Sequence, residues 1–160
     1  MQKRFLLASL LLGAAQLTTG CTHDTEADVR PANYDELALG TGHWEWNRST
    51  LGWAGNRSPT TEGYTRQLVF GAGGQLLLRR SGQPAYRTSY QLSMGTLPRC
   101  GFDQRNFPII TYSTGEATLP NNERKSYDIS QQNGQQMLSI TGEDACVDGG
   151  AYETYHWVAE

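Results

Sequence analysis

Gly63-Tyr64-Thr65-Arg66-Gln67-Leu68-Val69-Phe70-Gly71-Ala72-Gly73-Gly74-Gln75-Leu76-Leu77-Leu78-Arg79-Arg80 is the stretch that decides the fold. Two apolar runs of strand length flank a four-residue connection in which all but Ala72 is glycine. Glycine adopts positive φ without a Cβ clash, which a tight reversal between antiparallel strands requires. Leu68 and Phe70 share a face of the first run, with Arg66 one step further along it, and Leu76 and Leu78 share a face of the second. That is the period of two that a strand imposes on its side chains.

The same pattern extends in both directions. Alternating segments rich in Tyr, Trp, Val, Ile, Leu and Thr predict strands at about 43–49, 64–71, 75–80, 85–94, 106–113, 125–131, 135–141 and 152–158. Ser81-Gly82-Gln83-Pro84 is a turn, and Asn133-Gly134 is the pair that favours a type I′ hairpin. Only Thr50–Gly63 and Gly95–Arg105 are long connections, and no segment after residue 40 has a convincing 3.6-residue apolar period. Consecutive strands with hairpin links predict an all-β fold, an eight-stranded up-and-down antiparallel β-barrel whose closure removes exposed edges. Alternation points Trp44, Trp46, Leu68, Phe70, Leu76 and Leu78 inward, with Tyr86, Thr88, Tyr90 and Leu92. Ile109, Ile129, Leu138 and Ile140 are expected to supply the far side. On the last strand Tyr155 and Trp157 are chosen over the face carrying Tyr152, Thr154, His156 and Val158, because they bring the larger area.

The N-terminus has a different character. Lys3 and Arg4 precede an uncharged Leu/Ala-rich run, Phe5 to Ala15, and small residues then lead to Gly20-Cys21. Basic, apolar, small is the order of a secretory signal, and the run is too short to cross a ~30 Å hydrocarbon core. Leu17-Thr18-Thr19-Gly20-Cys21 resembles a lipobox, with Leu17 one position further from the cysteine than usual. The expectation is a lipoprotein signal peptide at 1–20, Cys21 as the acylated first residue of the mature chain, and a tether at 21–39. The alternative is an ordinary cleaved signal with an incidental cysteine. The tether is polar and acidic (Asp24, Glu26, Asp28, Asp35, Glu36), and the domain is expected over 40–160. This implies a lipid-anchored protein of a bacterial cell envelope, at the outer membrane and facing the periplasm or the surface.

The chain has 13 basic and 16 acidic residues. Losing Lys3 and Arg4 with the signal leaves 11 against 16, a net charge near −5 with no basic patch, which argues against a nucleic-acid partner. With Cys21 acylated, Cys100 and Cys146 remain. In an exported protein they are expected to bridge, closing a loop of about 47 residues for at most ~4 kcal/mol. Two unpaired thiols are the other reading. His23, His43 and His156 have no metal-ligand spacing, and no nucleophile elbow, P-loop or dinucleotide fingerprint is present. Glu143, Asp144 and Asp148 read as a solvated acidic loop rather than a calcium site. Neither catalysis, a metal nor a cofactor is expected.

Gly42-His43-Trp44 on the first strand is similar to the opening Gly-x-Trp of the lipocalins. The stretch 63–70 with its glycine hairpin, and the ending Cys146-Val147-Asp148-Gly149 with Tyr155-His156-Trp157-Val158, resemble small bacterial lipocalin-like lipoproteins. The resemblance covers roughly residues 40–160. It implies a monomeric cup holding a small apolar ligand, a closed end plugged by Trp44, and a lid formed by the loop 50–63. The family usually packs a last-strand arginine across the first-strand tryptophan. Residues 152–160 have no basic side chain, so Arg66 is the candidate for that cation–π role. The Thr-Asp-Tyr motif is absent. The candidate ligand-facing residues are Trp46, Trp53, Phe70, Tyr90 and Trp157. The rival is a barrel filled by its own side chains, acting as a protein-interaction or envelope-structural module.

The anchor is directly testable. Cys21→Ser should abolish partitioning into the detergent phase and remove acyl mass from the mature chain. Unchanged partitioning would rule out acylation at Cys21.

Overall fold

The computed structural model describes residues 34–38, 41–97, 105–114, 123–143, 145 and 151–160. The expected signal peptide with Cys21, and both cysteines of the expected Cys100–Cys146 bridge, lie outside the described residues. The described residues form nine strands, β1 (Gly42–Leu51), β2 (Gly55–Arg57), β3 (Arg66–Gly71), β4 (Gln75–Arg80), β5 (Tyr86–Gly95), β6 (Phe107–Tyr112), β7 (Glu123–Gln132), β8 (Gln135–Gly142) and β9 (Tyr152–Ala159). Strands β3 to β9 follow one another in antiparallel order, and β1 pairs with both β3 and β9. The result is the expected all-β architecture: a closed eight-stranded antiparallel barrel, with β2 as an extra strand on the far end of β1.

The turns follow from the residues that make them. Gly74 takes φ +73° and donates its N–H to the Gly71 carbonyl at 3.1 Å, reversing the chain between β3 and β4. Asn133 and Gly134 both have positive φ, 53° and 81°, as a type I′ hairpin demands. Between β1 and β3 the long loop is structured. A short 3-10 turn, Gly52–Ala54, leads into β2, and the helical turn α2 (Pro59–Glu62) is held by a capping box of Ser58 and Thr61.

One irregularity sets the interior. In the β1–β9 ladder Trp46 opposes Tyr155, but the next pair is Arg48 with Thr154, so Asn47 is an extra residue in β1. Such a bulge reverses the parity of the strand beyond it. Strict alternation after Trp44 and Trp46 would turn Arg48 inward. Instead Arg48 is exposed and Ser49 is buried opposite Glu153. On the outside, Asn47 Oδ1 meets His156 Nδ1 at 2.6 Å.

One end of the barrel is filled. Trp44, Phe70, Leu76, Tyr90 and Leu138 are buried there. Trp44 and Trp157 oppose each other in register and meet edge-on with ring centroids 5.1 Å apart. The expected inward face of β9 is therefore the observed one. Residues assigned to the tether belong to this plug: Tyr34–Leu37 form a helical turn, α1, whose Leu37 is wholly buried. The Tyr34 hydroxyl donates to the Ala72 carbonyl at 3.3 Å. Leu37 thus packs with the barrel core although it lies in the stretch read as tether, because the short run Leu37-Ala38-Leu39 has no periodicity to announce it.

A second correction concerns β6. Ile110 and Tyr112 face inward opposite Leu92 and Tyr90, while Ile109 lies on the outer face opposite Ser93 and Ser126. Ile109 is nevertheless fully buried, which is why apolarity alone did not separate it from Ile110.

Gly42 shows why the first tryptophan is preceded by glycine. Its φ is +145°, and a Cβ there would lie 2.4 Å from the Trp157 ring and 2.6 Å from the Val158 carbonyl oxygen. Gly42→Ala should therefore lower the melting temperature by displacing Trp157. Trp44→Ala should cost roughly 3–5 kcal/mol in a denaturant titration. A Trp44→Ala protein as stable as the parent would show that the plug is not a core element.

Candidate functional site

The other end of the barrel is hollow. A cavity of about 870 Å³ opens there, lined low down by Trp46, Leu68, Leu78, Ile140 and Tyr155 and by charged groups from five strands and the α2 turn. Its position follows from strand direction. The starts of β3, β5, β7 and β9 and the ends of β1, β4, β6 and β8 all meet at this end, so Arg66, Tyr86, Lys125, Glu153, Ser49, Arg80, Tyr112 and Gly142 converge from distant parts of the sequence.

Ser49, Arg66, Glu153 and Tyr155 form a closed network at one wall. Arg66 Nη1 is 2.8 Å from Glu153 Oε1, and Arg66 Nη2 donates to Ser49 Oγ at 2.7 Å. Trp46 Nε1 donates to the same hydroxyl at 2.9 Å, and Ser49 donates to Glu153 Oε1 at 3.1 Å. The Tyr155 hydroxyl donates to Glu153 Oε2 at 3.0 Å. The serine hydroxyl thus uses its one proton and both lone pairs, which is its full capacity. Across the cavity Lys125 Nζ lies 3.4 Å from Glu123 Oε2 and 5.0 Å from the centre of the Tyr112 ring.

A stack of four side chains runs up from this network towards the mouth. The Arg66 guanidinium lies 4.0 Å from the centre of the Trp46 ring, Tyr64 stacks on Trp46 at 5.9 Å and 16°, and Arg80 lies 3.6 Å from the Tyr64 ring centre. Each cation faces the negative face of a ring. Arg66 therefore makes the cation–π contact expected of it, but with Trp46 instead of Trp44. The place across Trp44 is taken by Trp157.

Burial shapes the titration of these groups. Burial alone would raise the Glu153 carboxyl, but the Arg66 guanidinium and the Lys125 ammonium outweigh it, and hydrogen bonds from Arg66 and Tyr155 add to them. The group is held below the usual carboxylate range. Burial pushes the Tyr155 hydroxyl well up, and the neighbouring Glu153 carboxylate pushes it further.

Of the five ligand candidates, only Trp46 lines the cavity among the side chains described. Phe70 and Tyr90 pack against each other in the filled end, centroids 5.1 Å apart, and the Tyr90 hydroxyl donates to the Gly71 carbonyl at 2.9 Å. Trp157 belongs to the plug with Trp44. The backbone of Trp53 lies in the 3-10 turn at the head of the long loop, at the cavity end of β1; its side chain lies outside the description. The residues that alternation missed are polar: Ser49, Glu153, Lys125 and Arg80. The visible clue was charge at inward positions, since Arg66, Arg80 and Glu153 share parity with Leu68, Leu78 and Tyr155. Among the described residues no group of three His, Cys, Asp or Glu side chains is arranged to hold a metal ion.

Comparison with protein-family models, with curated proteins and with solved structures finds no match to this chain.

The Arg66–Glu153 pair yields a signed pH dependence. The folded-state value of Glu153 lies below the unfolded one, so the unfolded chain takes up the proton first as pH falls. The pair's contribution is complete above about pH 4.3, the unfolded value, and fades as pH drops through the lower folded value. Glu153→Gln should melt lower at pH 7, by roughly 3–5 kcal/mol, because Arg66 is left without its counter-charge. It should also lose this part of the acid sensitivity. Parallel pH–melting curves for parent and variant would contradict the assignment.

Proposed function

We propose that this protein is a lipid-anchored, lipocalin-like binding protein that holds a small molecule in the open end of its barrel without transforming it. The observation that carries the reading is the cavity itself. A volume of about 870 Å³ lies within the range of small-ligand sites, and its walls combine apolar side chains low down with charged groups of which most are paired. Leu68, Leu78 and Ile140 offer an apolar surface, and the Arg66–Glu153 and Lys125–Glu123 pairs offer oriented charge beside it. A ligand matched to such walls is amphipathic rather than wholly apolar, because a bare hydrocarbon would cover buried charges without replacing their solvation. Both inner carboxylates are committed to cationic partners, which supports binding over acid–base chemistry. The signal-like N-terminus and Cys21 support an anchored location, with the barrel carried on the chain that follows.

Trp46 reports on occupancy because its indole lines the cavity. A screen of fatty acids, sterols, hydrophobic pigments and aromatic acids should find compounds that raise the melting temperature and alter tryptophan emission. Trp46→Phe should abolish most of the emission change while a thermal shift remains. If no class moved either signal, the protein-interaction or structural role would replace this reading.

A further inference from the structure

We propose that the cavity selects an organic anion bearing a planar ring, with the anionic group held by Arg80 and the ring laid against Tyr86. This rests on the binding role proposed above and narrows its ligand class.

The charge around the cavity is opposite to that of the chain. Its lining carries Arg57, Arg66, Arg79, Arg80 and Lys125 against Glu62, Glu123 and Glu153, an excess of two positive charges in a protein whose formal net charge is −3. Three of those cations face a lining carboxylate: Arg66 with Glu153, Lys125 with Glu123, and Arg57 with Glu62 at 3.9 Å. Arg79 turns to Glu160, 4.0 Å away and outside the lining. Arg80 has no carboxylate partner among the described residues; its guanidinium rests on the Tyr64 ring and keeps its N–H edge for another group. A guanidinium held flat on a ring is pre-organised to offer that edge to a carboxylate or phosphate. Deeper in, Arg66 Nε is buried without an acceptor among the described residues, a second donor in the same wall.

The aromatic half of the argument concerns Tyr86. Tyr86 and Tyr155 are the lining aromatics with no ring partner or cation on their faces among the described residues, and of the two only Tyr86, 39% exposed against 2% for Tyr155, has surface to offer. Leu78 opposes Tyr86 in the β4–β5 ladder, and Arg80 lies two residues further along β4 on the same face. The two are therefore diagonal neighbours, roughly 7–8 Å apart at the backbone, about the span from a ring centre to an attached carboxylate with its contacts. Tyr64 is less open to a ring in the same way, since Arg80 and Trp46 already pack against it.

Three naphthalenes of nearly the same shape separate charge from ring: 2-naphthoate, 2-naphthamide and 2-naphthylmethylammonium. Each is titrated calorimetrically into the mature lipoprotein in detergent micelles, with a micelle blank subtracted. Naphthoate should bind about tenfold more tightly than naphthamide, the scale of one charge-assisted contact, and the ammonium should bind most weakly. High salt should narrow the gap, since Arg80 is near the surface. Arg80→Gln should remove most of the preference, whereas Arg87→Gln, which deletes the same charge from the outer face of β5, should keep it. Tyr86→Leu should weaken naphthoate and naphthamide alike. Naphthamide binding as tightly as naphthoate, or equal losses in the two arginine variants, would overturn the anion selectivity while leaving a small-ligand role in place. Absence of binding by all three probes would overturn the selectivity, and the ligand screen above would then decide the broader role.

Discussion

The pairing of β1 with β9 is the constraint on which both halves of this barrel depend. One ladder sets Trp44 against Trp157 at the filled end, Trp46 against Tyr155 in the middle and Ser49 against Glu153 at the hollow end. A slip of one residue would turn every one of these side chains to the opposite face. Gly42 admits the Trp157 ring at the start of the ladder. The Asn47 bulge then shifts parity, so that a serine hydroxyl rather than the Arg48 side chain meets Glu153. Closure, plug and polar wall are therefore consequences of a single strand register with one extra residue in it.

The polar wall is an unusual use of barrel interior. Removing a carboxylate and a guanidinium from water costs several kcal/mol, which their attraction and hydrogen bonds roughly offset. Apolar residues of the same volume would serve stability about as well, so stability alone does not account for Arg66 and Glu153. What the pair provides is an oriented charge distribution in the cavity wall, already satisfied by Ser49, Trp46 and Tyr155. Such preorganised groups need not rearrange when a ligand arrives. The aromatic stack from Trp46 to Arg80 extends the order to the mouth, so the cationic edge at the rim rests on the same foundation as the floor.

Alternation and turn chemistry made the barrel legible in the amino-acid sequence. The hairpin at 71–74, the Asn133-Gly134 turn and the inward pairs Leu68–Phe70, Leu76–Leu78 and Tyr155–Trp157 all follow from a period of two and from glycine's freedom at positive φ. Two kinds of information were not there to read. A bulge leaves no mark on a polar stretch such as Asn47-Arg48-Ser49, because the extra residue is defined by its partner strand. Depth along the barrel axis is equally silent. Alternation says that Phe70, Tyr90 and Trp157 face inward, and it cannot say that they fill the closed end while Trp46 reaches the cavity. Reading Phe70, Tyr90 and Trp157 as ligand contacts beside Trp46 merged two layers that only strand direction and register separate.

Side-chain volume explains why one layer is full and the other empty. The filled end receives indoles from Trp44 and Trp157, rings from Phe70 and Tyr90, and Leu37 from outside the sheet. At the hollow end small residues recur among the inward positions: Ser49 on β1, Gly142 on β8 and Ala151 just before β9. At Gly142 a Cβ would lie 2.7 Å from Glu123 Oε1, so a larger residue there would push that carboxylate from its present place. The long side chains at this end, Arg66, Arg80, Lys125 and Glu123, pair along the wall instead of crossing it, because each charge seeks a partner within reach and none gains by projecting alone into an apolar centre. An eight-stranded barrel has room for its own side chains or for one small guest. Here large apolar residues take the first option at one end, and small residues with wall-bound charges leave the second open at the other.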